Sequence, residues 1–379
     1  MPRFSFDTVT IDGFRALRHL ELHGLGLINI LVGENNSGKT SVLEALSILC
    51  NPLDPLEWLR MVQRRDFGGL DETRVQSLRW CFPQTGQLGD PDFMFESSCE
   101  MACEGTFPLR SLGVEYKDIE GVPSKRDQSR MVRFKGDDVG DTRLWRGGEI
   151  SHRVDGVAPF EQSALLDKEK LTVRIWEIES YFTARNLGKR GRISTETLTP
   201  YTYQLNRHLL RQQSAQVFSD QQDMILELIR DFDPDIVNVK LAAFRGNRAA
   251  IYVNHKKLGP APLSVFGDAL RRAVLLASTL PMLQGGGLLL IDEVETGIHV
   301  SALKKVFSWL TKVARQLQVQ VVATTHSLEA VDAIALSVPE NVEDVVVFRL
   351  DQTEEKTRAK RIEGELLLRL RLERGLDVR

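Results

Sequence analysis

The chain has 379 residues, a net charge of -3 and a pI near 6.2, so it has no global attraction for nucleic acid, and any such binding needs a local basic patch. Hydrophobic residues make up 42% and charged residues 27%, an ordinary globular composition with room for two or three lobes, while four cysteines, Cys50, Cys81, Cys99 and Cys103, are too few and scattered for a disulfide framework and, with no second pair to complete a zinc site, read as core or surface thiols. The longest apolar tract, Ala273 to Ile291, is broken by Pro281 and Gly285-Gly286-Gly287, and the N-terminus lacks a signal-peptide core, so a cytoplasmic protein without membrane helices is expected.

Phe4 to Ile11 and Ala16 to Leu22 alternate as strands around Asp12-Gly13-Phe14-Arg15 and predict a hairpin. An apolar strand, Leu27 to Val32, comes next. It runs into Gly33-Glu34-Asn35-Asn36-Ser37-Gly38-Lys39-Thr40-Ser41 and a helical pattern from Ser41 to Leu49. The pattern G-x-x-x-x-G-K-[ST] between a strand and a helix is a phosphate cradle. Gly33 and Gly38 allow backbone angles that a Cβ resists, so consecutive N–H groups of the loop, those of Asn35, Asn36 and Ser37 among them, can turn inward on one anion. The helix start adds its positive dipole end, Lys39 reaches the β and γ phosphates, and the Thr40 hydroxyl is placed to ligate Mg²⁺.

After the break at Asn51-Pro52-Leu53-Asp54-Pro55, a polar helix is expected over Leu56 to Arg65. From Val75 to Ile178, short alternating runs such as Ser77 to Phe82, Leu112 to Tyr116 and Arg130 to Phe134 lie between Gly/Asp/Pro turns and predict antiparallel sheet. Ser194 to Phe232 places Leu205, Leu209, Val217, Met224, Ile225, Leu228 and Ile229 at helical spacing, as two helices joined near Ser219-Asp220 would. Two strands follow, Ile236 to Phe244 and Ala249 to Val253. The expected division is an N-terminal lobe over 1–193, a helical insertion over 194–235 and a C-terminal lobe over 236–379.

Ser264, Gly267 and Asp268 open a long helix, Asp268 to Leu280, and a serine with glycine N–H groups at a helix start forms an anion site. One cradle already serves this face, so the second is expected to serve the nucleotide of another subunit. Leu288-Leu289-Leu290-Ile291-Asp292-Glu293 reads as a buried parallel strand whose carboxylates emerge at its carboxyl end. Asp292 there can hold the Mg²⁺ shell, and Glu293 can orient or deprotonate an attacking water. The strand Val319 to Ser327 brings His326 to where it could touch the γ-phosphate and that water. Val345 to Leu350 reads as a last strand and Gly364 to Arg374 as a charged helix.

This ordered set of a Walker A loop, a Ser-x-x-Gly-Asp signature, an Asp-Glu Walker B strand and a Thr-His-Ser strand end resembles the ABC-type ATPase heads of the RecF, SMC and OLD group, often called AAA-family ATPases. Phe14-Arg15 matches the Phe-Arg of that group's N-terminal strand pair and adds Arg15 to the nucleotide contacts. Glu295-Thr296-Gly297-Ile298-His299 resembles its D-loop. Positions that are usually glycine in the signature are Val265, Phe266 and Ala269, which shifts phosphate contact from Ser264 toward Gly267 and the helix start. No glutamine stands out for the Q-loop; Gln63 and Gln84 are the candidates.

The resemblance implies an α/β P-loop NTPase of the ABC-head type with a mixed β-sheet lobe, an antiparallel β subdomain and a helical lobe. It implies ATP and Mg²⁺ as ligands, with Lys39, Glu293 and His326 as catalytic residues. Gly33, Gly38, Ser41, Ser264, Gly267 and Asp268 join the nucleotide contacts, and Thr40 and Asp292 the metal. Two heads would close on two ATP molecules, as a dimer or higher oligomer. Heptads for a coiled-coil arm are missing and the stretch after His326 is short, so the effector is expected to be a separate protein such as a Toprim nuclease. Anti-phage defence, with DNA or a phage protein as trigger, is the preferred setting. The basic run Arg185 to Arg192 is the candidate nucleic-acid contact. The alternative is a RecF-like repair factor in which ATP gates DNA clamping.

Overall fold

The computed structural model describes residues 4–65, 73–84, 94–124, 127, 144–156, 171–177, 193–202, 221–244, 248–337, 342–353 and 355–379. The unbroken apolar runs become the middle of one sheet. β3 (Ile28–Val32), β12 (Leu288–Ile291) and β13 (Gln320–Thr324) are buried at every position. They pair in parallel, with β13 between the other two. β14 (Val345–Gln352) runs parallel to β3 on its free side and carries the antiparallel edge strand β15 (Thr357–Glu363). The opposite edge is β8 (Thr195–Leu198), parallel to β12. The order is therefore β15-β14-β3-β13-β12-β8, in which strands from both ends of the chain interleave.

A strand's side chains alternate between faces, and in this sheet they feed two separate cores. Ile28, Ile30, Leu289, Ile291, Val321 and Ala323 enter one; Leu31, Leu288, Leu290 and Val322 enter the other. The first is closed by α4 (Gln222–Ile229), α5 (Asp268–Thr279), α6 (Val300–Leu317) and α7 (Leu328–Ser337). The second holds α1 (Lys39–Cys50) and α2 (Pro55–Arg65) against a six-stranded antiparallel sheet. That sheet orders β2 (Leu20–His23), β1 (Thr8–Asp12), β4 (Glu96–Glu104), β5 (Leu109–Gly121), β6 (Trp145–Gly156) and β7 (Leu171–Trp176). α1 is thus covered on both sides, which is why ten of its twelve residues are buried. Truncating one of its leucines to alanine would cost about 2–5 kcal/mol.

The expected hairpin, phosphate-loop strand and helices are present within a few residues. Strands β9 (Ile236–Phe244) and β10 (Arg248–His255) are joined by an unforeseen β11 (Gly259–Pro262) in a small third sheet. Two expectations need correction. Ser77 to Phe82, read as an alternating strand, instead overlaps helix α3 (Arg74–Arg79), which starts at a capping box in which Thr73 and Gln76 bond each other's backbone N–H groups. The segment read as wholly helical from Ser194 begins with strand β8, where Thr195 and Thr197 favour extended structure and Pro200 follows. The helix expected to run to Arg374 is α8 (Gly364–Leu368) followed by a π-helical turn over Arg369–Glu373. The runs at 130–134 and 185–192, and the join at 219–220, lie outside the described residues.

All four cysteines are buried free thiols, and burial pushes Cys81 and Cys103 up to about 12, which keeps them unreactive. Among the described residues, no helix is long and apolar enough to cross a membrane.

Candidate active site

The loop after β3 uses its glycines for two distinct reasons. Gly33 has φ 144°, and a Cβ there would lie 2.5 Å from the Leu350 carbonyl oxygen of β14 and 2.8 Å from Ser37 Oγ. Gly38 has φ 92°, and a Cβ there would strike Leu17 Cδ2 of the N-terminal hairpin at 2.5 Å. Asn36, at φ 64°, takes the left-handed turn that asparagine tolerates. The result is a tight bend with Glu34, Asn35 and Asn36 exposed and Ser37 buried, leading straight into α1, whose N-terminus has no side-chain cap. Uncapped N–H groups at a helix start form an anion-binding end.

Lys39 Nζ lies over this bend and donates to the carbonyls of Gly33, at 2.7 Å, and Glu34, at 2.8 Å. Burial holds its ammonium below the usual lysine range, opposed by the negative charges of Asp292, Glu293 and Glu295. Those three acids come from the end of β12 and the loop after it, so the topology brings residues some 250 positions apart to one carboxyl edge.

Asp292 is the hub. Thr40 Oγ1 approaches its two carboxylate oxygens at 3.1 and 3.2 Å, and Thr324 Oγ1 of β13 donates to Oδ1 at 2.7 Å. Thr324 Oγ1 also accepts the Glu293 N–H at 2.8 Å. Glu293 sits at φ 50°, a left-handed angle unusual for glutamate, and its Oε2 accepts from Thr296 Oγ1 at 2.9 Å. Hard oxygen donors suit Mg²⁺, and bonds of 2.0–2.1 Å place adjacent octahedral ligands about 2.9 Å apart. The 3.1 Å separation of the Thr40 hydroxyl and the Asp292 carboxylate fits that spacing.

The other expected contacts lie nearby. His326 follows β13; its N–H donates to Glu295 Oε1 at 3.2 Å, Nδ1 lies 3.4 Å from the same oxygen, and its side chain is 57% exposed. Arg379 Nη1 donates to the His326 carbonyl at 2.8 Å. Arg15, expected among the nucleotide contacts, is engaged with an acid of α1. Its Nε pairs at 2.7 Å with Glu44 of α1, a buried carboxylate shared with Arg65, and Arg65 also reaches Ser41 Oγ at 3.3 Å. Gln84 donates to the carbonyls of Arg79 and Phe82, both at 2.9 Å, and so closes the turn after α3.

Ser264, Gly267 and Asp268 are exposed on the surface where α5 begins without a side-chain cap. A Cβ built on Gly267 would meet nothing within 4 Å, so the helix start faces open space. Val265 beside it is 63% exposed.

Sequence reasoning overlooked three contributors. Thr324 orders both acids; as a threonine ending an apolar strand next to Thr325 and His326, it was detectable. Leu198 of β8 accepts the Asp292 N–H at 2.8 Å, which places Thr199 and Thr202, bonded to each other at 2.9 Å, at the carboxyl edge of the sheet beside Asp292. Arg272 of α5, nearly buried, donates to the Glu293 carbonyl at 2.7 Å. A fourth cluster, Asp233, Asp235 and His255, has metal-like composition. Its His255 Nδ1 accepts two backbone N–H groups at 3.1 and 3.2 Å, which makes Nε2 the donor to Asp233 at 3.2 Å. Asp235 pairs with Lys257 at 2.5 Å, so these atoms are committed to one another.

Residues 6–128 match the model of the AAA ATPase domain, and residues 158–332 match that described as AAA domain, putative AbiEii toxin, Type IV TA system. A Helicobacter pylori protein described as an ATP/GTP phosphatase is similar at 23% identity over 86% of this chain and 86% of its own length. The DNA replication and repair protein RecF of Nitrosococcus oceani is 56% identical over 39 residues, 10% of this chain and 11% of that protein. An uncharacterized protein of Methanocaldococcus jannaschii is 50% identical over 42 residues, 11% of this chain and 19% of its own length. The chain therefore spans less than a fifth of these last two relatives. Among solved structures, an SMC head bound to the C-winged helix domain of ScpA has a TM-score of 0.50 at 10% identity, covering 96% of this chain and 99% of that one.

Proposed function

We propose that this chain, which carries an AAA-type ATPase domain on the fold of an SMC head, binds ATP with Mg²⁺, closes head to head on a second copy and hydrolyses the terminal phosphate to control a separate effector. The observation that carries the reading is the group formed by Lys39, Thr40, Asp292, Thr324 and Glu293 at one edge of the sheet, beside the glycine bend. Asp292 and Thr40 would hold Mg²⁺, which when bound offsets charge on the phosphate oxygens. Lys39 neutralises the triphosphate. Glu293, positioned by its N–H bond to Thr324 and its carboxylate bond from Thr296, takes the proton of the attacking water as the γ-phosphorus–oxygen bond to ADP breaks. The name of the Helicobacter relative supports nucleotide hydrolysis.

The open start of α5 supports closure on a second copy. Its start lacks a side-chain cap and, with Gly267, offers an anion site on the exposed surface, one more than the loop at Lys39 needs in the same protomer. ATP bridging the two would bind the closed form better than the open one, which is what a ligand needs in order to shift that equilibrium. The family model's description, a putative AbiEii toxin of a Type IV TA system, supports a toxin–antitoxin setting, and the separate effector is our extension of it. A RecF-like role, with ATP gating DNA clamping, is the second reading and rests on the short RecF match.

Phosphate release by the purified full chain, with native mass measurement, tests the reading. Lys39→Ala is expected to abolish turnover, and Glu293→Gln to retain ATP and accumulate as a dimer. Normal turnover in either variant would defeat it. Stimulation by DNA that falls steeply with salt selects the RecF-like reading; copurification with an effector protein that alters turnover selects the first.

A further inference from the structure

We infer that Arg272 is a positioning residue that couples the surface opening α5 to the carboxylate of Glu293, so that engagement of a second copy at the helix start sets the base of the same protomer. The inference rests on the ATPase reading above and deepens it.

Arg272 lies one helical turn after Asp268, on the same face of α5, and is only 7% exposed. A buried guanidinium is costly unless its donors are used. Here Nη2 donates to the Glu293 carbonyl at 2.7 Å and approaches the Asp292 carbonyl at 3.4 Å. The Glu293 peptide is thereby held from two sides, its N–H by Thr324 of β13 and its C=O by Arg272 of α5. That grip falls on the residue with the unusual φ of 50°. A left-handed glutamate persists only where its surroundings over-determine it.

The loop that follows touches the same helix. A Cβ on Gly297 would lie 3.8 Å from Arg272 Cδ and 3.9 Å from Asp268 Cβ, so the loop from Glu293 to Gly297 rests on the first turn of α5. Any shift of that turn is transmitted through Arg272 to the backbone of the base. This contact and the packing around Gly297 link Glu293 to the helix start. Placement of a catalytic group matters steeply: a displacement of about 1 Å costs about a hundredfold in rate.

Arg272→Met keeps the volume and removes the donors; Arg272→Lys restores a cation with one reachable carbonyl. With the full-length wild-type chain turning over ATP, Arg272→Met is expected to lose about tenfold to a hundredfold in kcat. Its equilibrium affinity for a fluorescent ATP analogue should stay within about twofold, because no nucleotide contact is removed. Arg272→Lys should recover part of kcat without moving affinity. Added to Glu293→Gln, the Met change should cause no further loss of turnover, since it acts through that residue.

A wild-type kcat in Arg272→Met, or an affinity loss as large as the kcat loss, overturns the inference while leaving the ATPase reading intact. A wild-type chain that releases no phosphate overturns both. Should Arg272→Met fail to fold, as judged by circular dichroism, the Lys variant decides: a folded Lys variant with unchanged kcat and weakened ATP binding refutes the coupling, and lowered kcat with unchanged binding supports it.

Discussion

Replacing Gly33 with alanine tests whether the bend above β3 is as tightly specified as its geometry indicates. At φ 144° the backbone lies where residues with a Cβ are strained, a cost of about 1–3 kcal/mol. The added methyl would sit 2.5 Å from the Leu350 carbonyl oxygen, a backbone atom fixed in β14, and overpacking of this kind adds about 1–3 kcal/mol. The total is roughly 2–6 kcal/mol. Unfolding entropy of about 2.1 cal/mol/K per residue gives about 0.8 kcal/mol/K for this chain, so Tm should fall by roughly 3–8 °C. Differential scanning fluorimetry reads the shift, and titration with a fluorescent ATP analogue reads the cradle. Because the cheapest relief is to rotate the bend itself, nucleotide affinity should drop at least tenfold, more than the loss of stability alone explains. A variant with unchanged Tm and wild-type affinity would show that the bend tolerates a Cβ and that the spacing of Gly33 from β14 is not what shapes it.

Thr324→Val removes the hydroxyl that orders both acids while keeping the branched shape. The Glu293 N–H loses its partner, at a cost of about 1–3 kcal/mol, and kcat should fall at least tenfold with little change in nucleotide affinity; equal turnover would remove Thr324 from the site. A half-buried carboxyl and a buried imidazole give opposite pH signatures. Burial pushes the Glu196 carboxyl up to about 7 from its ordinary 4.5, so the folded chain keeps a proton that the unfolded chain has lost, and stability falls as pH rises across that window. Glu196→Gln should therefore raise Tm at pH 8 relative to wild type, with no gain at pH 4. Burial pushes His152 down to about 4 from 6.5, so the unfolded chain binds the extra proton and stability falls as pH drops through that range. His152→Leu should flatten the acid limb of a Tm–pH profile, and an unchanged limb would show that His152 titrates in the folded state.

The parts of the site written contiguously were legible in the sequence. Gly33 to Ser41 and Leu288 to Glu293 each place a chemical group at a fixed distance from a buried strand, so period and composition sufficed to locate Lys39, Thr40, Asp292 and Glu293. β8 was missed because Thr195-Glu196-Thr197-Leu198 is short, half polar and at a sheet edge, where the apolar signal is weakest. α3 was misread although its Thr73 and Gln76 cap was a local cue. Arg272 could not be read at all: on an amphipathic helix it looks like a solvated charge, and its bond to the Glu293 carbonyl exists only once α5 folds back on the loop after β12. Arg15 shows the same limit from the other side, since its Phe-Arg setting was visible but Glu44, its partner on α1, was not foreseeable as a buried carboxylate.

The interleaved order of the central sheet bears on how the protein is born. β3 is flanked by β13 and β14, so the nucleotide loop has neither of its neighbours until the ribosome has translated some three hundred further codons. At about 5–20 residues per second that is roughly 15 s to a minute during which β3 has no parallel neighbour, while the helix after it can already pack on the antiparallel sheet. The glycine bend after β3 and the acids after β12 therefore meet only in the nearly finished polypeptide.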